Sequence, residues 1–333
     1  MLRNNNHAPL PNIGDNESVH RRHFLSLIPP AFLAACSKTP GKIRLALNWK
    51  PEPEFGGFYA ARYTQHGLNV DILPGGAGTP TVQMIGAGSA EFGIVEADEI
   101  VVARARGNDV VALYAAFQHS PAALMVHASR KFADIGDIFK KGGTLAIQKG
   151  LPFARLLERQ YGFDKVQVVP SPGGDISAFL RDPKFVQQVY MTSEYLTAKR
   201  QGTDAQVFPI STAGFDPYNT VMATSGDYLR KNPEIAKAMV AAVREGWRVY
   251  LDDPKATNQR MNQLNPSMSL DGFAETAEAQ KPLIETDETR KNGLGYMTRE
   301  RWLTLISQLE GLGDLPKVPA PEDCFTTLAS TNS

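Results

Sequence analysis

Short apolar segments typical of β-strands alternate with helix-like segments of about ten residues through most of the chain. Parallel strands need a long crossover, usually a helix, so this alternation predicts βαβ units in a parallel sheet covered on both faces. The expected strands cover residues 43–48, 68–73, 92–95, 110–117, 144–148, 166–169, 186–191 and 206–210. The expected helices cover residues 57–66, 80–86, 97–106, 132–139, 153–161, 175–180, 194–201, 233–251, 255–264, 270–280 and 298–309.

The pattern restarts after residue 122, which indicates two lobes. Extended segments at 123–127 and 220–224 are candidate crossovers between the lobes. We therefore expect an α/β fold of two doubly wound sheets joined by crossover strands, with a helical C-terminal region. The expected organisation is a first lobe of residues 43–122 and 219–315, a second lobe of residues 123–218, and a tail of residues 316–333.

The N-terminal region predicts the location of the protein in the cell. Arg21 and Arg22 precede an apolar stretch over residues 24–35, which is shorter than the roughly 20 residues that a bilayer span requires. Paired arginines before such a stretch are typical of a twin-arginine export leader, although His20 leaves the general secretory route open. Small residues before Cys36 indicate a lipobox, whose lipidated cysteine would tether the mature protein to a membrane surface. We expect an export signal over residues 1–36 and a linker over residues 37–42; the alternative is a disordered tail.

Composition excludes several classes of function. The chain has 35 basic and 35 acidic residues and no basic stripe, so nucleic acid is not an expected partner. Its two cysteines are Cys36 and Cys324, which leaves no disulfide within the mature chain, and its six histidines are scattered. It has no nucleophile elbow, phosphate-binding loop or zinc motif. We expect no catalytic residue, metal or cofactor.

A cleft between two lobes that close about a hinge is the expected binding site, because ligands of such sheets bind where the strands end. Aromatic side chains after the first strand can stack on a flat heterocycle, and the pair Gly56-Gly57 would let a ligand approach the backbone. A core position is the alternative for Phe58 and Tyr59. The expected ligand contacts are Trp49, Phe55, Tyr59, Gly78, Thr79, Glu96, Gln118, Gly173, Gly174, Asp175, Glu194 and Tyr195.

Glycine-rich loops at residues 75–80 and 172–175 occupy matching positions in the two lobes, each after a strand and before a helix. Backbone N–H groups there can hold an anion or a polar edge of a ligand. Glu194 follows a strand in the same way and can accept hydrogen bonds from an amino group. Helix capping by Ser193 is the alternative explanation of this motif.

Several of these motifs resemble one family. The order Trp49-x-Pro51, Gly57-x-Tyr59-x-Ala61, Gly67-Leu68-x-Val70, Phe92-Gly93-Ile94 and 103–107 resembles the thiamine-pyrimidine-synthase-like family. That family includes substrate-binding proteins of ABC importers for pyrimidine precursors of thiamine, and it is similar to sulfonate- and taurine-binding proteins. The resemblance implies a type II periplasmic-binding fold, capture of a small heterocycle, and ligand contacts at Trp49, Tyr59 and Glu194.

One departure from the family pattern bears on the ligand. The family usually shows Asn and His where this chain has Glu52 and Phe55, so a flavin-like or other nitrogen heterocycle is also open. The leading hypothesis is a monomeric, lipid-anchored receptor that delivers its ligand to a membrane permease. The alternatives are a single-turnover pyrimidine synthase, a sulfonate-, taurine- or nitrate-type binding protein, and a sensory or scaffold lipoprotein.

Overall fold

The computed structural model describes residues 41–328. The predicted leader with Cys36, residues 37–40 of the predicted linker and the last five residues of the predicted tail lie outside this range. The described strands are β1 (Ile43–Ala46), β2 (Val70–Leu73), β3 (Phe92–Val95), β4 (Val110–Phe117), β5 (Ala122–His127), β6 (Gly143–Ala146), β7 (Val166–Val169), β8 (Phe185–Tyr190), β9 (Ala205–Pro209) and β10 (Asn219–Ser225). The described helices are α1 (Gly56–Ala60), α2 (Thr81–Gly86), α3 (Ala97–Ala105), α4 (Ile135–Lys141), α5 (Pro152–Tyr161), α6 (Ser177–Arg181), α7 (Glu194–Arg200), α8 (Gly226–Lys231), α9 (Pro233–Asp252), α10 (Lys255–Leu264), α11 (Leu270–Ile284), α12 (Asp287–Asn292), α13 (Arg299–Gly311) and α14 (Pro321–Cys324).

The strands form two five-stranded sheets, which confirms the predicted fold class. The sheet of the first lobe has the order β2-β1-β3-β10-β4, and that of the second lobe has the order β7-β6-β8-β5-β9. The expectation of parallel sheets is wrong for one strand in each lobe: β10 runs antiparallel to β3 and β4, and β5 runs antiparallel to β8 and β9. Strand β5 enters the second sheet directly from β4 of the first lobe, and β10 returns from the second lobe into the first sheet, so neither strand belongs to a βαβ unit of its own sheet.

The core of the first lobe is built around helix α9, which packs on α1. Trp247 of α9 is fully buried and meets Phe58 edge to face, with ring centroids 5.9 Å apart. A Cβ atom at Gly57 would lie 2.1 Å from the Trp247 ring, and one at Gly56 would lie 2.1 Å from the Tyr250 ring. The glycine pair that the sequence suggested for ligand approach therefore serves close helix packing.

Several predicted helices have different bounds in the structure, among them α1, α4 and α6. Helix α1 ends at Ala60 rather than continuing to residue 66: the backbone of Ala61 is extended (φ −61°, ψ 134°), and Tyr63–His66 form a separate 3₁₀ turn. Helix α4 begins at Ile135, where the Asp134 carboxylate accepts a hydrogen bond from the backbone of Asp137 at 2.9 Å. Helix α6 begins at Ser177, two residues later than expected.

The segment after α13 packs on the first lobe. Helix α14 contacts α3 and β4, and the backbone N–H of Thr326 donates to the Ala112 carbonyl at 3.0 Å. Within residues 41–328, no helix is both long and apolar enough to cross a membrane.

We expect Gly57→Ala to destabilise the protein by about 2–3 kcal/mol or more, because the new methyl group must displace the buried Trp247 ring. Chemical denaturation measures this difference. Gly86→Ala is the matched control: it adds the same methyl group at a helical position with open space around it, and should leave stability within about 0.5 kcal/mol. Equal stability of the two variants would contradict the packing described here.

Candidate functional site

Loops from both lobes meet where their parallel strands end. In the first lobe these are the loop 48–55 after β1 and Glu96 after β3; in the second lobe they are the glycine loop after β7 and Glu194 after β8. A Cβ atom at Gly173 would lie 4.0 Å from Cη2 of Trp49, so the indole of one lobe faces the glycine loop of the other. Gly173 and Gly174 have φ values of 63° and 98°, which other residues rarely adopt. We call the space between these loops the cleft.

Four carboxylates converge on the cleft, three from the first lobe and one from the second. Glu52 and Glu54 lie on the loop after β1, and each is raised in pKa by the negative charge of Glu194 across the cleft. Burial raises the pKa of Glu96 most, and the negative charges of Glu99, Asp98 and Glu54 raise it further. The four side chains are therefore close enough to repel one another electrostatically.

Burial is the largest cause of the raised pKa values. It raises the pKa of Glu52 to about 7, a shift that the nearby Lys50 ammonium opposes. It raises the pKa of Glu54 and Glu96 well above the usual range, and that of Glu194 less strongly. A carboxylate removed from water is unfavourable unless hydrogen-bond donors or positive charges compensate it.

The carboxyl groups of the cleft differ in the hydrogen-bond donors and positive charges that the protein places beside them. Glu194 Oε2 accepts a hydrogen bond from the backbone N–H of Tyr190 at 2.9 Å. Glu52 Oε1 lies 3.8 Å from Lys50 Nζ and 3.5 Å from Asn265 Nδ2. Glu54 differs from both, because no donor among residues 41–328 acts on its carboxylate and only burial and two negative charges shift its pKa. The cleft can therefore accept further hydrogen bonds at Glu54.

Tyr190, at the end of β8, connects the two lobes. Its hydroxyl donates to Glu96 Oε1 at 3.2 Å and accepts from Asn219 Nδ2 at 3.1 Å. Glu96 itself precedes α3, and its backbone N–H donates to Glu99 Oε2 at 2.9 Å. The side chain of Tyr190 thus joins a strand of the second lobe to a helix start and a crossover strand of the first.

Five of the predicted contacts meet at the cleft, and whether they touch a ligand stays a prediction. They are Trp49, Glu96, Gly173, Gly174 and Glu194.

The other predicted contacts lie elsewhere or are already engaged. Phe55 is fully buried in the first-lobe core. Tyr59 lines a separate pocket of about 460 Å³ between β2 and α10, where Arg260 lies 5.5 Å from its ring. Gln118 is 1% exposed and donates through Nε2 to the carbonyls of Ala115 and Tyr296, at 3.1 Å each. These three residues lie away from the cleft because of how the helices pack and where the strands end, and the local sequence specifies neither.

The remaining predicted positions have local structural roles. Thr79 Oγ1 accepts from the backbone of Gly76 at 2.8 Å, which closes the turn that contains Gly78. Asp175 Oδ1 accepts from the backbone of Ser177 at 2.8 Å, and hydrogen bonding to the side chain and backbone of Ser177 lowers the pKa of Asp175. Tyr195 is half-buried beside Lys199, whose Nζ lies 5.5 Å from the ring.

Sequence reasoning missed Glu52, Glu54, Lys50 and Tyr190 as site residues. The signal for the two glutamates was present, because Pro51 and Pro53 stiffen a loop that directly follows a buried strand. Tyr190 carried no sequence signal beyond its position at a strand end. Within the described residues, no group of three or more His, Cys, Asp or Glu side chains is arranged to hold a metal ion.

Comparison with known proteins gives relatives that are binding proteins. The chain is 21% identical to the formylaminopyrimidine-binding protein of Halalkalibacterium halodurans, over 91% of this chain and 97% of that protein. It is 22% identical to the riboflavin-binding protein RibY of Chloroflexus aurantiacus, over 86% of this chain and 85% of that protein.

Solved structures share the fold. The periplasmic aliphatic sulphonate-binding protein SsuA of Escherichia coli superposes with a TM-score of 0.65 at 16% identity, covering 88% of this chain and 96% of that one. The periplasmic nitrate-binding protein NrtA of Synechocystis superposes with a TM-score of 0.63 at 11% identity, covering 85% of this chain and 86% of that one. At these identities the likeness concerns the fold alone.

The family model described as NMT1/THI5 like matches residues 52–257, which is more than half of the chain and includes Glu52, Glu54, Glu96, Tyr190 and Glu194. With the two-lobed fold and the relatives above, this match identifies the chain as a member of the NMT1/THI5-like family.

Proposed function

We propose that this protein is the substrate-binding component of an ABC importer, held at a membrane surface through lipidated Cys36, and that it captures a small nitrogen heterocycle by closing its lobes. The family membership and the binding proteins among its relatives support the general role. Closure follows from contacts that a ligand makes with both lobes, because such contacts favour the closed arrangement over the open one.

The observation that carries the choice of ligand class is the group of four acidic side chains at the cleft, of which Glu54 has no hydrogen-bond donor among residues 41–328. A ligand with N–H groups or a positive charge supplies the missing hydrogen bonds, each of which contributes about 1.5–3 kcal/mol when a charged group takes part. Trp49 lies at the same place and provides an aromatic face for a flat ring. Aminopyrimidines combine both properties.

The same charges disfavour the anion-binding alternatives. A sulfonate or nitrate ion in the cleft would lie beside Glu52, Glu54 and Glu194, whose raised pKa values indicate that a negative charge is unfavourable at this place. The nearby cation, Lys50, lies 3.8 Å from Glu52 Oε1 and is already partly neutralised by it. We therefore place the sulfonate-, taurine- and nitrate-type functions second.

A pyrimidine synthase, which would be an enzyme and not a binding protein, is also less favoured. Phe55 stands where the resemblance places the histidine of the synthases, and it is buried in the core. Cys324 is the one cysteine of the described residues and is buried, so it forms no part of a cysteine-rich motif.

Thermal-shift screening tests the ligand class. Formylaminopyrimidine, thiamine and riboflavin, tested beside an alkanesulfonate and nitrate, should separate into compounds that raise the melting temperature and compounds that do not. A compound at 100 times its Kd stabilises the folded state by about 2.7 kcal/mol. Stabilisation by the alkanesulfonate alone would contradict the heterocycle assignment.

Two substitutions test the cleft with whichever heterocycle binds. Trp49→Ala removes the stacking face and Glu54→Gln removes the carboxylate charge, so we expect each to weaken binding at least about tenfold in calorimetric titration. Glu300→Gln makes the same change on an exposed helix position and should bind as the unmodified protein does. Unchanged affinity in Trp49→Ala or Glu54→Gln would remove that residue from the proposed site.

The stability of the ligand-free protein should fall as pH rises from about 4.5 to above 7. Burial raises the pKa of Glu52 from its ordinary value of 4.5 to about 7 in the folded protein, so between these pH values the folded state binds more protons than the unfolded state. Glu52→Gln abolishes this contribution. Its melting temperature relative to the unmodified protein should therefore rise between pH 5 and pH 8, whereas Glu300→Gln should run parallel to the unmodified protein. A constant difference for Glu52→Gln would contradict the raised pKa.

Mass spectrometry of the membrane fraction tests the tether. We expect a mature N-terminus at Cys36 that carries a lipid, and we expect Cys36→Ser to release the protein from the membrane. An uncut, unlipidated chain would contradict the proposed location without affecting the ligand assignment.

A further inference from the structure

The pocket that contains Tyr59 is separate from the cleft. Its volume of about 460 Å³ is within the usual range for small-molecule sites. One wall is β2, which is the edge strand of the first sheet and has a neighbouring strand on one side only. The facing wall is α10, which supplies Arg260, Gln263 and Leu264. We call this cavity the outer pocket.

Tyr59 places an unpaired hydrogen-bond donor at the outer pocket. Its side chain is 4% exposed, and its hydroxyl has no hydrogen-bond partner among residues 41–328. Burial raises the pKa of this hydroxyl to about 12, although the Arg260 charge opposes the shift, so the group is protonated at neutral pH and can donate. A buried donor without an acceptor destabilises the folded protein. An acceptor atom supplied by a ligand would remove this penalty.

Arg260 adds a positive charge beside the same ring. Its guanidinium lies 5.5 Å from the centre of the Tyr59 ring, and its Nη1 donates to the Tyr59 backbone carbonyl at 3.2 Å. Among residues 41–328 it forms no ion pair, so its other N–H groups can bind a carboxylate. Asp71 also lines the pocket, but its Oδ2 lies 2.8 Å from Lys42 Nζ, which balances its charge. The polar groups of the pocket therefore favour an anionic acceptor.

The rest of the lining is largely apolar. Phe58 and Tyr63 provide aromatic surface, and Val70, Ile72 and Leu264 provide aliphatic surface. The Tyr63 hydroxyl donates to the Phe58 carbonyl at 2.9 Å, so it does not compete for a ligand. Leu264 is 52% exposed, and an apolar group bound against it would remove part of this surface from water.

We propose that the outer pocket is a second ligand site, which binds a small organic carboxylate with an apolar body. The carboxylate pairs with Arg260 and accepts a hydrogen bond from the Tyr59 hydroxyl, and the apolar body lies against β2 and Leu264. Because the hydroxyl is buried and Arg260 is exposed, the arginine side chain moves off the tyrosine ring as the ligand enters. Tyr59, which the family resemblance assigns to ligand contact, then serves this ligand and not the one in the cleft.

Calorimetric titration with four compounds tests the ligand class. Indole-3-acetate and octanoate carry a carboxylate on an aromatic and an aliphatic body, and both should bind. Indole-3-acetamide lacks the charge and inorganic phosphate lacks the apolar body, so each should bind at least about tenfold more weakly. Failure of both carboxylates to bind, or equal affinity for all four compounds, would overturn the proposal.

Substitutions locate the binding of indole-3-acetate. Arg260→Gln removes the charge and should weaken binding at least about tenfold, and Tyr59→Phe removes the hydroxyl and should weaken it about three- to tenfold. Arg106→Gln is the matched control, because it removes the same charge from an exposed position outside the pocket lining and should leave binding unchanged. Unchanged affinity in Arg260→Gln or in Tyr59→Phe would contradict the proposed contacts.

The melting temperature of ligand-free Tyr59→Phe separates a lost contact from a lost fold. This variant removes a buried hydroxyl that has no partner among residues 41–328, so its melting temperature should equal or exceed that of the unmodified protein. A lower melting temperature would show that the hydroxyl is already satisfied within the protein and would remove it from the proposed site.

The same titration in Trp49→Ala separates the outer pocket from the cleft. Trp49 is not part of the outer pocket, so this variant should bind indole-3-acetate as the unmodified protein does. Loss of binding in Trp49→Ala together with unchanged binding in Arg260→Gln would place the carboxylate in the cleft and overturn the proposal. These outcomes do not depend on whether any heterocycle binds, so the outer pocket and the proposed function stand or fall separately.

Discussion

The return of the chain from the second lobe into the middle of the first sheet constrains the rest of the structure. Strand β10 lies between β3 and β4 and is hydrogen-bonded on both sides. Its position fixes the end of β3, and therefore Glu96, relative to the crossover. Because β5 enters the second sheet equally directly, the two lobes are joined through residues 118–121 and 210–218. The proposed closure of the lobes would bend the chain in these segments.

The cleft that results is electrostatically unfavourable while it is empty. Burial raises the pKa of all four carboxyl groups, neighbouring negative charges raise the pKa of Glu52, Glu54 and Glu96 further, and Glu54 has no donor among the described residues. A protein that only needed stability would not retain such a cluster, since isolated buried charges destabilise the folded state. A binding protein can retain it, because the unsatisfied groups give a ligand with N–H donors an advantage over water and over anions.

Much of the fold followed from local patterns in the sequence. Strands such as 92–95, 110–117 and 166–169 have the predicted bounds, because apolar β-branched runs between glycine or polar residues have few alternatives. Helix α10 also has the predicted bounds. The direction of β5 and β10 was not accessible in this way, because strand direction depends on which distant segment lies alongside and not on the residues of the strand itself.

The candidate site, like the fold, was predictable from the sequence only in part. The sequence by itself determined that loops rich in glycine, aromatic and acidic residues follow the strands, and it placed Trp49, Glu96 and Glu194 among them. Only the tertiary structure decided that Phe55 and Gly57 serve the core, because helix α9, nearly 200 residues further along the chain, occupies the space beside them. Likewise, only the packing of the two lobes brought Glu96, Tyr190 and Asn219 into one hydrogen-bond network, since pairing across a cleft depends on contacts between residues that are distant in sequence.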